Sequence, residues 1–170
     1  PFNKAVCLEN SIECLENAVK DNKLSGNGKY TKMCTEWMEE RFGAKKVLMT
    51  TSCTAALEMS AILLGIKEGD EVIMPSYTFV TTASAFAKQG ARIVFVDIKP
   101  HTMNIDPDCI ERAITDKTKA IVVVHYAGIA CEMDRIMKIA NSHGIPVVED
   151  AAQGVMACLL YTSPSPRDIS

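Results

Sequence analysis

The sequence predicts an α/β fold, a mostly parallel sheet with helices on both faces, and three observations predict it. Short runs such as Val72-Ile73-Met74, Ile93-Val94-Phe95-Val96 and Ala120-Ile121-Val122-Val123-Val124 are apolar without alternation. Strands of that kind are covered on both faces. Between them lie segments whose apolar residues recur at helical spacing. Alternating strand and helix, with each connection long enough to cross over, describes a parallel sheet between helices, with right-handed crossovers expected.

In chain order, Leu8, Ile12, Leu15 and Val19 predict an amphipathic helix near the start. Asp21-Asn22-Lys23 and Ser25-Gly26-Asn27-Gly28 form a loop by composition. Its G-x-G lacks a preceding strand, and Thr31 stands where a third glycine would, so it is no dinucleotide fingerprint. A second helix carries Cys34, Trp37, Met38 and Phe42 on one face, with Trp37 expected in the core and Gly43 as its stop. Residues 47–50 read as a short strand and residues 55–64 as a helix. Gly69-Asp70 turns the chain into Glu71-Val72-Ile73-Met74, stopped by Pro75. Helices follow through Val80, Ala83 and Ala87, around Ile110, Ala113 and Ile114, and through Met133, Ile136, Met137 and Ala140. Past Gly144, Ile145 to Val148 is the last predicted strand. No internal repeat interrupts this order.

Size and composition bound the function classes. The 170 residues suffice for one domain with a sizeable core. With 48% hydrophobic and 23% charged residues, the chain is an ordinary globular protein. A net charge of −3 supplies no basic field for nucleic acid or anionic lipid. No apolar run approaches membrane-spanning length, and Pro1-Phe2-Asn3-Lys4 does not open a signal peptide, so a cytoplasmic protein is expected. The 7 cysteines are scattered singly without a C-x-x-C pair, so they are expected reduced, mostly buried and not metal-bound.

The last stretch breaks the pattern. Thr162-Ser163-Pro164-Ser165-Pro166 has no period and two prolines. Residues 158–170 therefore read as a disordered or non-native tail, similar to the translated read of a sequencing-library adapter, and residues 1–157 as the domain.

Chemistry is expected where the strands end, because open α/β sheets hold ligands beyond the carboxyl ends of their strands. Val147-Val148-Glu149-Asp150-Ala151-Ala152-Gln153 places Asp150 there, either as a partner for a cationic ring nitrogen or as an acidic strand cap facing solvent. Thr51-Ser52-Cys53-Thr54-Ala55 opens a helix, either as an anion site for phosphate or as a Ser/Thr cap. No His or acidic partner can be assigned to Cys53 from sequence. Pro75-Ser76-Tyr77-Thr78-Phe79 brings aromatics to the same rim, to stack on a planar ring or simply to pack. His125 ends another strand, as an acid, a base, a ring neighbour or a hydrogen-bonded wall residue. Phosphate anchorage, a stacking aromatic and a pyridinium partner converge on pyridoxal phosphate. No Ser-His-Asp set, paired-carboxylate hydrolase pattern or P-loop is readable, and no strand-linked G-x-G-x-x-G supports a Rossmann oxidoreductase.

These residues also carry a resemblance. Gly69-Asp70-Glu71-Val72-Ile73-Met74-Pro75-Ser76-Tyr77-Thr78-Phe79, Phe95-Val96-Asp97, Ala113-Ile114-Thr115-Asp116-Lys117-Thr118 and Glu149-Asp150-Ala151-Ala152-Gln153 resemble the DegT/DnrJ/EryC1/StrS family of sugar aminotransferases. The resemblance implies the N-terminal part of the large domain of a fold-type-I, pyridoxal-phosphate-dependent transferase. It implies amino transfer from L-glutamate to a nucleotide-linked 4-keto-6-deoxy sugar, and a homodimer when full length. Position by position, it implies that Asp150 pairs with the pyridine nitrogen and Gln153 lies near the ring's 3-oxygen. It further implies that Phe79 stacks on the ring and that Thr54 and the amide of Ala55 hold the phosphate. Many members have Gly where Cys53 stands. The family's Schiff-base lysine lies in a later segment that this chain is expected to lack. None of Lys117, Lys119 or Lys138 matches its motif, so no catalytic residue is assigned and the chain as given is expected to be inactive. A related dehydratase, with histidine in place of that lysine, and a non-catalytic α/β ligand-binding module are the alternatives.

Overall fold

The computed structural model describes residues 7–154. The expectation for residues 158–170 lies outside them. The chain divides into two compact units, Pro1–Thr50 and Thr51–Ser170, each taken by itself.

The first unit holds two helices, α1 (Ser11–Lys20) and α2 (Lys29–Phe42). Ile12, Leu15 and Val19 fall in α1 as predicted while Leu8 lies before it, and α2 stops at Gly43 in the left-handed conformation (φ 58°), a position glycine takes without a steric penalty. Two expectations fail here. Trp37 is 54% exposed and meets only the edge of Phe42, with ring centroids 6.0 Å apart. Periodicity says which residues share a helix face, not whether anything covers it; neither helix has a buried residue. Residues 47–50 form no strand. The Val47 amide donates instead to the Glu39 side chain at 3.0 Å. That amide and Lys46 hold the Glu39 carboxyl below its usual range.

The second unit is the predicted sheet. Its elements are α3 (Cys53–Leu63), β1 (Glu71–Pro75), α4 (Val80–Ala87), β2 (Arg92–Val96), α5 (Pro107–Ala113), β3 (Thr118–Val124), α6 (Met133–His143) and β4 (Val147–Asp150). The four strands pair in parallel, in the order β2-β1-β3-β4. The two-residue period of the strands divides their side chains between two cores. Val72, Met74, Ala120 and Val122 pack with Leu57 and Ala61 of α3 and Ala85 and Phe86 of α4. Ile73, Ile121 and Val123 pack with Ile110 of α5 and Ile136 and Ala140 of α6. Helices thus cover both faces, and each fully buried Ile or Phe contributes roughly 1.5–3 kcal/mol.

Local signals set the joints. Asp106 accepts from the Asp108 amide at 3.1 Å and caps α5, with Pro107 in the first helical position. Gly144 ends α6 at φ 65°, where its amide bonds Asn141 and that of Ile145 bonds Ala140. That closure, with the Pro146 carbonyl accepting from Ile121, starts β4 two residues later than the apolar run suggested. Asp150 is therefore the last residue of the strand.

The strand order positions the site. From β1 the chain steps to β2 on one side, then crosses to β3 on the other. The crevice at the carboxyl ends of β1 and β3 is the topological switch point, where open α/β sheets bind ligands.

Candidate cofactor site at the carboxyl edge of the sheet

Asp150 pairs in register with Val124 and is 5% exposed. Its Oδ2 accepts from the Thr82 hydroxyl at 2.9 Å. Its Oδ1 accepts from the Ala152 amide at 3.1 Å and the Cys53 thiol at 3.5 Å. Among the described residues no cation pairs with it. A buried charge held only by neutral donors keeps its demand for a counter-charge.

Asp150 lines a cavity of about 270 Å³ at the switch point. Its other walls are Tyr77, Thr78 and Phe79 after β1, Val124 and Tyr126 at the end of β3, and Ala152 and Gln153 after β4. The volume lies just under the roughly 300 Å³ at which small-molecule sites begin. Phe79, the cap residue before α4, is 71% exposed and lines the cavity, so its ring is open to a ligand. Tyr77 and Tyr126 close the rim, with ring centroids 5.0 Å and hydroxyls 3.1 Å apart. That hydroxyl contact raises the Tyr126 phenol above its ordinary value.

Gln153 closes another side. Its Oε1 accepts from the Ala127 amide at 2.8 Å, bracing a turn in which Ala127 is left-handed (φ 51°). A non-glycine residue in that conformation costs roughly 1–2 kcal/mol, so the turn is held rather than relaxed. With the carbonyl end engaged, the amide NH2 of Gln153 is the donor that remains.

The helix start shows the Ser/Thr cap of its two readings. Ser52 is the cap of α3, its hydroxyl accepting from the Ala55 amide at 3.1 Å. The amide expected to hold phosphate is thus engaged by Ser52. Thr54 lies half-buried in the first turn, beside Cys53, whose thiol reaches Asp150. Burial and the Asp150 charge together push that thiol up. Of the predicted site residues, Phe79, Asp150 and Gln153 line the cavity together, whereas Thr54 and Ala55 are not among its walls.

His125 is a wall residue. It is buried and does not line the cavity. Its Nδ1 accepts from the Cys131 amide at 3.2 Å, which leaves Nε2 to donate to Glu149 at 2.8 Å, a tautomer assigned from these partners. Gly154 lies against it: a Cβ there would come within 2.9 Å of the His125 Cβ. Sequence reasoning missed Thr82 and the partnership of Cys53 with Asp150. The four-residue spacing of Thr78 and Thr82 was the one available signal for the former.

Residues 7–160 match the DegT/DnrJ/EryC1/StrS aminotransferase family. The chain belongs to this family. It is 46% identical over 157 residues to the uncharacterized protein MJ1066 of Methanocaldococcus jannaschii, covering 92% of this chain and 40% of that one. Among solved structures it resembles an aminotransferase from Psychrobacter cryohalolentis (TM-score 0.84, 34% identity, 90% of this chain and 39% of that one). It also resembles a GDP-4-keto-6-deoxymannose-3-dehydratase with a trapped PLP-glutamate geminal diamine (TM-score 0.87, 27% identity, 97% and 44%). The chain thus spans about two fifths of the length of these relatives.

The DegT/DnrJ/EryC1/StrS family is pyridoxal-phosphate-dependent, and the residues present fit that group. A buried anion without a cation suits a protonated ring nitrogen. The exposed ring of Phe79 suits a planar ring, and Phe79 and Asp150 line the same cavity.

Proposed function

We propose that this chain supplies the ring-binding part of a pyridoxal-phosphate site in a nucleotide-sugar aminotransferase. The reaction is transfer of an amino group from L-glutamate to a nucleotide-linked 4-keto-6-deoxy sugar, as in dTDP-4-amino-4,6-dideoxygalactose transaminase. The observation that carries the reading is Asp150, a buried carboxylate facing a cavity with neutral donors only.

In this reading Asp150 accepts the ring N–H and keeps the nitrogen protonated. When bound, the cofactor supplies an electron sink for the carbon that loses a proton. Phe79 covers one ring face and excludes water from it. Gln153 offers its NH2 to the 3-oxygen while its carbonyl holds the 126–128 turn. Thr54 and the Ala55 amide hold the phosphate, which must share that amide with Ser52. No lysine of this chain is assigned to the amine chemistry. The reading includes a cytoplasmic homodimer when full length. Among the described residues no helix is long and apolar enough to cross a membrane.

A dehydratase of the same family is the second reading, favoured by the TM-score of 0.87 to GDP-4-keto-6-deoxymannose-3-dehydratase. The test is to express residues 1–170 and add pyridoxal phosphate, glutamate and a keto-sugar nucleotide. Cofactor retention and amino-sugar formation are then followed separately. Retention without amino-sugar formation is expected. Turnover abolished by replacing one of the lysines present would show that the assignment of no lysine is wrong.

A further inference from the structure

We propose that Thr82, itself oriented by Thr78, is a positioning residue that fixes which oxygen of Asp150 receives the ring nitrogen. The inference rests on the cofactor reading of Asp150 and deepens it.

Hydrogen-bond accounting sets the direction of each contact. An ionised carboxylate only accepts, and it has about four acceptor sites, two on each oxygen. Oδ1 receives the Ala152 amide and the Cys53 thiol, which fill it. Among the described residues Oδ2 receives only the Thr82 hydroxyl, so the site left for a further donor is on Oδ2. Thr82 has a single hydroxyl proton, and Asp150 takes it. The 2.8 Å contact between Thr78 and Thr82 therefore runs from the Thr78 hydroxyl to the Thr82 oxygen. The result is a one-way chain, Thr78 to Thr82 to Asp150, across the start of α4.

Three features separate this chain from an ordinary satisfied hydroxyl. Thr82 is 0% exposed, so no bulk water can take its place on Oδ2. It does not line the cavity, whereas Thr78 and Asp150 do, so it acts only through its neighbours. The donors are neutral, so they fix the rotamer of the carboxylate without cancelling its charge. A lysine or arginine at the same place would fix the rotamer and compete with the pyridinium.

The test compares two ligands on the 170-residue chain. One is pyridoxal phosphate; the other is its deaza analogue, in which carbon replaces the ring nitrogen. Dissociation constants are measured by equilibrium dialysis, and folding is checked by circular dichroism. The wild-type chain is expected to prefer pyridoxal phosphate by about tenfold or more, the range of a hydrogen bond to a charged group. Thr82→Val is expected to weaken pyridoxal phosphate by about fivefold, the worth of one hydrogen bond, and to leave the deaza analogue unchanged. Thr82→Ser restores the preference, because it returns the hydroxyl. Thr78→Val shifts the preference in the same direction by about twofold, and as a half-buried position it carries the test if Thr82→Val does not fold.

Equal weakening of both ligands by Thr82→Val would mean a structural role only and would overturn the proposal. So would a wild-type preference that survives in both variants. A wild-type chain with no preference for the ring nitrogen overturns the cofactor reading of Asp150, and the positioning role falls with it.

Discussion

Two buried carboxylates sit at opposite ends of the same sheet, and they are treated differently. Glu71, the first residue of β1, is 6% exposed and lies at the amino edge. It accepts from the Thr115 hydroxyl at 2.6 Å and pairs with Arg92 at 3.3 Å. Asp150, the last residue of β4, is 5% exposed and lies at the carboxyl edge, with a hydroxyl, an amide and a thiol around it but no cation. Burial is equal, so burial does not separate them. Glu71 brings its counter-charge with it and needs nothing further. Asp150 leaves its charge uncompensated toward a cavity, and that is what marks a binding group at the end where α/β sheets hold ligands.

The comparison breaks most readily at Asp150. Asp150→Ala is expected to weaken pyridoxal phosphate binding ten- to hundredfold, the range implied by roughly 1.5–3 kcal/mol for a hydrogen bond to a charged group. Absorbance titration of the purified chain measures it. Unchanged affinity would put the two carboxylates in the same class. Glu71→Ala is the mirror experiment. It removes a hydrogen bond to the exposed Thr115 hydroxyl and should lower unfolding free energy by about 0.5–1.5 kcal/mol, read by denaturant titration, while cofactor affinity stays put. A change in Gly154 probes the support between these extremes. Gly154→Ala drives a methyl into His125 and is expected to cost about 1 kcal/mol or more, because that contact is side chain against side chain in a packed wall. Parallel denaturation curves read that cost. No loss would mean that His125 gives way freely.

How far each part was legible in the sequence follows from how far its causes reach along the chain. The central strands β1 and β3 of the second unit announced themselves through apolar runs buried on both faces, and the helix stops at Gly43 and Gly144 because a left-handed residue ends a helix locally. Asp150 was legible as a strand-end carboxylate for the same reason. What surrounds it was not. Thr82 lies 68 residues away in sequence and Cys53 lies 97 residues away, and no local pattern reports that a fold will bring such residues to one carboxylate. The first unit failed in the opposite direction. The faces of α1 and α2 were read correctly from periodicity, but burial of Trp37 and a strand at 47–50 both required a partner that periodicity does not supply. His125 stayed open among four roles until the Cys131 amide and Glu149 were seen to occupy its two nitrogens.

The smallest expected effect bears on the charge of Asp150 through a neighbour that reports it. Two thiols lie near this edge of the sheet. Cys131 is buried and donates to the Val124 carbonyl at 3.2 Å. Its thiol is pushed up to about 12, first by burial and then by the Glu149 carboxylate. Cys53 is also pushed up, first by burial and then by the charge of Asp150. Only the thiolate is alkylated, so a raised thiol reacts slowly at neutral pH. Asp150→Asn removes the charge next to Cys53 but leaves its burial, and Cys53 should then react about two- to fivefold faster with iodoacetamide at pH 7.5. Peptide mass spectrometry separates it from Cys7 and Cys34, which are exposed as Cys53 is. Cys131 is the internal standard and should stay unmodified in both proteins. Its raised folded value also fixes a sign: the stability it contributes is whole below the ordinary thiol range, about 8.5, and is lost as pH climbs from there toward 12. An Asp150→Asn chain whose Cys53 reacts no faster would mean that the carboxylate is already neutralised, and the contrast with Glu71 would then have no electrostatic basis.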